Sequence, residues 1–292
     1  MSRIINDGLP EAVYLAVCND KYNPGTADYT PSSLNEPAYL RRLKKEFGDQ
    51  IVEKASSRIW ALLGTAVHHI IELAGEKADN VEVERRFYGT VGSPQKSFSI
   101  GAQIDILDHN ENAIQDMKVT SVWAFGKGVK PEWEQQLNVC RWCVWKETGK
   151  VVDKLNIVAI WRDWSATKVN NPNYPPSQSS LIQVPIWDLG DTEEWIKEKV
   201  SQRESAMAAE QIADIAPCTP EEQWAKPSKW AVMKAGSIKA TKLFNNVDDA
   251  KVFAASKGID FHVQVRPGAR TRCAGYCPVS AFCPNYQQSL KK

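Results

Sequence analysis

Two strand-like runs, Phe98–Leu107 and Ala113–Thr120, are joined by the polar turn Asp108-His-Asn-Glu-Asn112, and this pair constrains the chain more than any other feature. Apolar and β-branched runs flanking an Asn/Asp-rich turn read as a β-hairpin. Within it stand Gly101, Asp105, Asp116 and Lys118. Side chains alternate along a strand, so Asp116 and Lys118 share a face while Met117 points into the opposite layer. Asp105, on the neighbouring strand, reaches the same patch. Two carboxylates on one surface disfavour each other's charge unless a cation neutralises them. Hard oxygen ligands that leave water positions open suit Mg²⁺ or Mn²⁺, either of which lowers the pKa of a bound water. Lys118 is placed to orient that water or to stabilise negative charge developing on a phosphate. The D-x-K pattern is weak by itself and draws its meaning from what surrounds it.

At 292 residues, with 43% hydrophobic and 24% charged residues, the chain can bury a sizeable core as one large domain or two smaller ones. Tyr29-Thr30-Pro31-Ser32-Ser33 reads as a helix start. Residues 56–74 have helical periodicity, with Ile59, Leu63, Ala66, Ile70 and Ala74 along one stripe. A strand over Val81–Tyr88 precedes the hairpin. A helix over Pro131–Lys146 follows it, with Trp133, Leu137, Cys140 and Val144 on one face. Leu155–Trp164 reads as a strand, 170–180 as a loop, and Asp191–Ala213 as a long helix with Trp195 and Ile196 inward. Beyond Ala216 the elements shorten, with strands at Trp230–Met233, Thr241–Phe244 and Phe261–Val265 and a helix from Asp248. The expected class is α/β, with a helical lead-in over 1–55, a core over 56–213 and a small α+β subdomain over 214–292.

The net charge of +1 excludes a general basic field, so any polyanion must be held locally. Arg41-Arg42-x-Lys44-Lys45 is the clearest basic run, with Lys127, Lys130, Arg266, Arg270 and Arg272 elsewhere. Trp123 and Phe125, just after the hairpin, suit either stacking on an unpaired base or core packing. No apolar run approaches the roughly 20 residues needed to span a bilayer. Asp7, Pro10 and Glu11 interrupt the N-terminal segment where a signal peptide needs an unbroken apolar stretch. A cytoplasmic location is expected, and the seven cysteines are read as metal ligands or core residues before disulfides.

Gly64-Thr65-Ala66-Val67-His68 precedes the hairpin, and Glu72 lies one helical turn beyond His68, so the two project together. His69 points roughly 100° away from His68. After the hairpin, Gln136 offers an amide able to bridge a metal site and a phosphate. Near the end, Cys273, Cys277 and Cys283 stand within eleven residues, two of them followed by proline. Thiolates at such spacing wrap a Zn²⁺ or an iron–sulfur cluster. The fourth ligand is expected to be Cys218, which opens the region that the triplet closes, in preference to the distant Cys18. Cys140 and Cys143 sit within a helix, and Cys140, on its apolar stripe, reads as a core residue.

Gly-Thr-x-x-His, then Gly-x-x-x-Asp with D-x-K, then Gln-Leu on the next helix resembles, in order and spacing, the RecB-like branch of the PD-(D/E)XK nuclease superfamily. The match covers roughly residues 30–145 and the late cysteines, and its general likeness is to phage or prophage members. The resemblance implies a restriction-endonuclease-like core, a mixed central sheet flanked by helices, with a cysteine-stapled C-terminal subdomain. It implies His68, Asp105, Asp116 and the backbone carbonyl of Met117 as metal ligands, Lys118 as the catalytic lysine and Gln136 as a supporting glutamine; Glu72 is a candidate second support by its helical spacing from His68 alone. It also implies a [4Fe–4S] cluster on the cysteines, Zn²⁺ being the alternative. The implied activity is a Mg²⁺- or Mn²⁺-dependent DNA exonuclease acting on single strands or duplex ends. A non-catalytic DNA-binding or scaffold protein on the same core is the alternative. Two positions depart from the family: Cys140 stands where a tyrosine follows the glutamine, and Glu36-Pro37 where a Cys-Pro is expected.

Overall fold

The computed structural model describes residues 3–19 and 25–290. The chain folds as two compact units, residues 1–36 with 52–208 and residues 37–51 with 209–292. The lead-in expected over 1–55 is thus divided between them. Its helix Ala38–Phe47 buries Tyr39, Leu40 and Leu43 in the core of the second unit, with Ile51 and Val279.

The first unit is built on a five-stranded mixed sheet ordered β1 (Val81–Ser93), β2 (Lys96–Asp108), β3 (Ala113–Thr120), β4 (Lys154–Trp161) and β5 (Ser179–Gln183). Helices α1 (Ile59–Gly75), α2 (Pro131–Thr148) and α3 (Leu189–Ala208) flank it. Only β3 and β4 run parallel. Parallel neighbours need a long crossover rather than a tight turn, and α2 supplies it. Pro131 starts α2 where its missing N–H costs nothing, and Gly149, at φ +73°, ends it in the left-handed conformation. Its buried Leu137, Trp142, Cys143 and Val144 meet Phe87, Ile100, Ile104, Ile114, Leu155 and Ile157 of the sheet in one core. Cys140 is a core residue, as expected, and Cys143 is buried beside it.

The structure corrects several expectations. The strand expected over Val81–Tyr88 continues to Ser93 and turns through a tight tip into Lys96, so β1 and β2 form the longest hairpin of the sheet. The edge strand β5, in a region read as loop, is polar and alternates exposed with half-buried residues, which hides it from periodicity. The α1 stripe faces outward, with Trp60, Leu63, Ile70 and Leu73 exposed. This helix is apolar nearly all round, so its pattern could not choose a face; the choice follows from Gly75, packed against Val83 of β1, and from His68, which is turned to the sheet.

In the second unit, β6 (Ala225–Lys226), β7 (Lys229–Lys234), β8 (Ala240–Phe244), β9 (Phe261–Arg266) and β10 (Ala269–Arg270) form two antiparallel sheets, β8-β7-β9 and β6-β10. Helix α4 (Val247–Lys257), capped by Asn246, packs on the larger sheet through Ala250, Ala254 and Phe253 against Val232, Trp230 and Phe244. Both cores of this unit are small, which favours a cross-link within it. Among the described residues no helix is long and apolar enough to cross a membrane.

The ring of Trp142 lies against Gly89 of β1, where an added Cβ would come within 2.3 Å of it. Gly89→Ala therefore overpacks the core, and we expect a cost of about 1–3 kcal/mol. A fall in Tm of several degrees checks this, and an unchanged Tm would contradict this account of the packing.

Candidate metal centre

β3 parts from β2 early. The two pair only at Ile106–Asp108 against Ala113–Gln115, although the register, continued, sets Asp105 opposite Asp116. Further back along β2, the edge that β3 leaves is taken by Tyr29, which exchanges backbone hydrogen bonds with Ser99 and Gly101. Between these contacts a cleft opens at Gln103–Asp105, with about 650 Å³ of empty space including its open mouth. Where the ladder stops, Asp105 replaces it: its Oδ2 accepts the backbone N–H of Met117 at 2.7 Å.

Six side chains from five elements converge on this cleft. His68, from α1, sets Nε2 3.2 Å from the Met117 carbonyl oxygen. Its Nδ1 lies 3.5 Å from Asp105 Oδ2 and 3.6 Å from Glu84 Oε1. Ligand atoms of His68, Glu84 and Asp105 all fall within 4.8 Å of one another. On β3, Asp116 is buried, its Oδ1 accepting from Gln136 Nε2 of α2 at 2.8 Å and its Oδ2 ion-paired with Lys118. Each of His68, Asp105, Asp116, Met117, Lys118 and Gln136 is thus brought to one place.

Burial, then the charge of Asp116, holds the Asp105 carboxyl well above the usual carboxylate range, against His68, Lys118 and the Met117 N–H. The hydrogen bond to Glu84 raises His68 despite its burial, and Asp105 adds to this. Burial works against the Lys118 charge, but the Asp116 pair outweighs it and the ammonium is held above its ordinary pKa. Three carboxylates against one lysine and a histidine leave the cleft short of positive charge. Oxygen and imidazole donors around that deficit fit a hard divalent cation.

Glu84 was not singled out from the sequence. It stands opposite Asp105 in the β1–β2 register and holds φ +51°, a left-handed conformation rare in a strand. Glu72, expected to support His68, instead meets His69 Nδ1 at 3.2 Å. Helical side chains lean toward the preceding turn, which brings Glu72 back to His69, while the His68 ring is turned to the sheet and meets Glu84. Cys140, one turn after Gln136, is buried and has burial, first, holding its thiol far above its ordinary pKa.

In the second unit, Cys218, Cys273, Cys277 and Cys283 line one pocket, with about 360 Å³ of empty space including its open mouth, together with Tyr39, Leu40, Leu43 and Val279. All four are free thiols. Burial pushes Cys218 up to about 12, with Glu222 adding to it and Arg272 opposing. Among the described residues, no three cysteine sulfurs lie all within 4.8 Å of one another. A single tetrahedral zinc, with bonds of about 2.3 Å, draws its sulfurs to about 3.8 Å apart. Cys18, the more distant candidate, does not line this cavity.

No family model matches the chain, and no curated protein matches it. Solved structures similar to it include the following three. The protein SSO0001 shares 16% identity over 65% of this chain and 83% of its own, with a TM-score of 0.44. An alkaline exonuclease from Laribacter hongkongensis shares 16% identity over 61% and 88%, with a TM-score of 0.34. A phage-related exonuclease from Haemophilus somnus 129PT shares 13% identity over 61% and 92%, with a TM-score of 0.37. The reading of function rests on the geometry of the cleft itself.

Because Asp105 is harder to ionise folded than unfolded, it weakens the metal-free fold as pH rises from its unfolded pKa, about 3.9, through its raised folded value. Metal-free Asp105→Asn is accordingly expected to melt above the wild type at pH 8, the gap closing below about pH 4. Thermal scans across pH check this; a wild type equal to the variant at pH 8 contradicts it.

Proposed function

We propose that the chain is a divalent-metal-dependent DNA nuclease of the RecB-like PD-(D/E)XK kind, hydrolysing phosphodiester bonds as an exonuclease on single strands or duplex ends. The observation that carries this is the convergence of His68, Glu84 and Asp105, with Asp116 and Lys118 in the same cleft and the Met117 carbonyl 3.2 Å from His68 Nε2. His68, Asp105, Asp116 and the Met117 carbonyl would hold Mg²⁺ or Mn²⁺, joined by Glu84. When bound, the ion lowers the pKa of a coordinated water and offsets charge on the phosphate.

The chain's own groups do the rest. Lys118, kept protonated by Asp116, donates to a phosphate oxygen or to the attacking water. Gln136 fixes Asp116 Oδ1, which orients the carboxylate toward the cleft. Burial, then Lys127, Arg162 and Lys118, depress the Lys130 pKa against Glu132, and we assign Lys127, Lys130 and Arg162 to receiving phosphates. Of the two aromatics suited to stacking, Trp123 is 76% exposed, whereas Phe125 packs edge-on against Trp161. Cys140, being buried, supplies no hydroxyl in the tyrosine's place.

Lys118→Ala is expected to lose about 100-fold or more of Mg²⁺- or Mn²⁺-dependent cleavage of end-labelled DNA while still binding it. Wild-type protein that cuts neither linear nor circular DNA with either ion overturns the reading; binding without cleavage returns the non-catalytic alternative.

For the second unit we infer a [4Fe–4S] cluster on Cys218, Cys273, Cys277 and Cys283 rather than zinc. The apolar cavity that all four cysteines line supports it, as does the small core of the unit, which a cluster would staple. Anaerobically purified protein is expected to contain iron and acid-labile sulfide, both lost in Cys277→Ser together with several degrees of Tm. Stoichiometric zinc without sulfide decides for the alternative.

A further inference from the structure

The near-neutral total charge conceals an imbalance. The second unit carries sixteen Lys and Arg against nine Asp and Glu, whereas the first carries twenty against twenty-six. On this basic unit two aromatic rings lie at the surface. Tyr276 is 70% and Trp224 41% exposed, with ring centroids 5.4 Å apart and planes tilted by 60°. The Arg272 guanidinium sits 5.5 Å from the Trp224 ring centre.

The platform is held by backbone, not by burial. Arg272 N–H donates to Gln223 O at 3.0 Å, its guanidinium to Glu222 O at 3.2 Å, and Tyr276 N–H to Arg272 O at 2.8 Å. Trp224 holds φ +49°, a conformation bulky residues rarely take and that persists only where the surroundings impose it. Such strain brings the indole to the surface, where core packing gains little from it. The acid nearest by sequence is engaged elsewhere, Glu222 accepting the Thr219 N–H. Lys226, which pairs with Ala269 across the β6–β10 ladder, and Arg266, at the end of β9, are both exposed.

We propose that Tyr276, Trp224 and Arg272 form a binding site for single-stranded nucleic acid. An unpaired base stacks on the more exposed Tyr276 ring, with the tilted Trp224 ring at its side, and Arg272, Lys226 and Arg266 hold the adjoining phosphates. Exposed rings beside cations match the two things a single strand offers, π faces and a polyanionic backbone. Tyr, Trp and Arg also serve protein contacts, and it is the flanking Lys226 and Arg266 that select a polyanion here. The site rests on the reading that DNA is the substrate, and its partner class follows from charge and stacking alone.

The test uses full-length protein carrying Lys118→Ala, to prevent cleavage, and a labelled oligo-dT of about twenty nucleotides followed by anisotropy. Tyr276→Ala and Tyr276→Leu, the second keeping bulk without a π face, are expected to weaken binding about ten-fold or more. Tyr276→Phe should bind as the parent does, and a blunt duplex should be indifferent to all three. Lys226→Gln with Arg266→Gln should reduce the slope of log affinity against log salt by roughly 1.4. Parent-like binding by Tyr276→Leu overturns the site, as does equal weakening by Tyr276→Phe. If that happens while wild-type protein still cuts DNA, the site alone is wrong; if the wild type neither binds nor cuts, the nuclease reading falls with it. Loss of self-association in Tyr276→Leu, with oligo-dT binding intact, assigns the rings to a protein contact instead.

Discussion

The hydrogen bond from the Met117 N–H to the Asp105 carboxylate occupies the point where β2 and β3 separate. A backbone N–H buried at the end of a ladder must find an acceptor, and here a side chain supplies it. One contact therefore closes the sheet and aims a carboxylate. The same fork leaves the Met117 carbonyl facing His68 and leaves room between β3 and Tyr29 for a cleft. Had the ladder run on, Asp105 and Asp116 would have faced each other across a closed pair of strands.

The charges gathered at that fork oppose folding in the absence of a cation. Asp105 resists ionisation, Asp116 relies on Lys118 and Gln136, and Glu84 takes a left-handed backbone to reach His68. These arrangements are held by what lies beneath them, the apolar core of α2 against β1 and β2, with Trp142 on Gly89 and Phe87 fully buried. Rigid packing on one side permits electrostatic crowding on the other.

The second unit is organised differently. Its two apolar clusters are small, one formed by α4 on a three-stranded sheet and the other by the helix Ala38–Phe47 around the cysteine cavity. The thiols line space that their neighbours do not fill, and the chain carrying them also holds Trp224 and Tyr276 at the surface. A staple inside and a platform outside would draw on the same few hydrogen bonds, Arg272 to Gln223 and Tyr276 to Arg272.

From sequence alone, alternation along β3 set Asp116 and Lys118 on one face, because the strand period is a local property of the backbone; that His68, Asp105 and Gln136 belong with them was implied by the resemblance in their order. The central strands, α2 and the core role of Cys140 were legible from local periodicity. Glu84 was not, although a hairpin tip between Ser93 and Lys96 sets it opposite Asp105, because register is visible only once the tip is found. Nor could α1, apolar nearly all round, declare which face turns inward, and so Glu72 was paired with the wrong histidine. The helix Ala38–Phe47 joined the second unit rather than the lead-in for a similar reason. Local periodicity says which residues are apolar; only contacts between segments distant along the chain decide which surface they find.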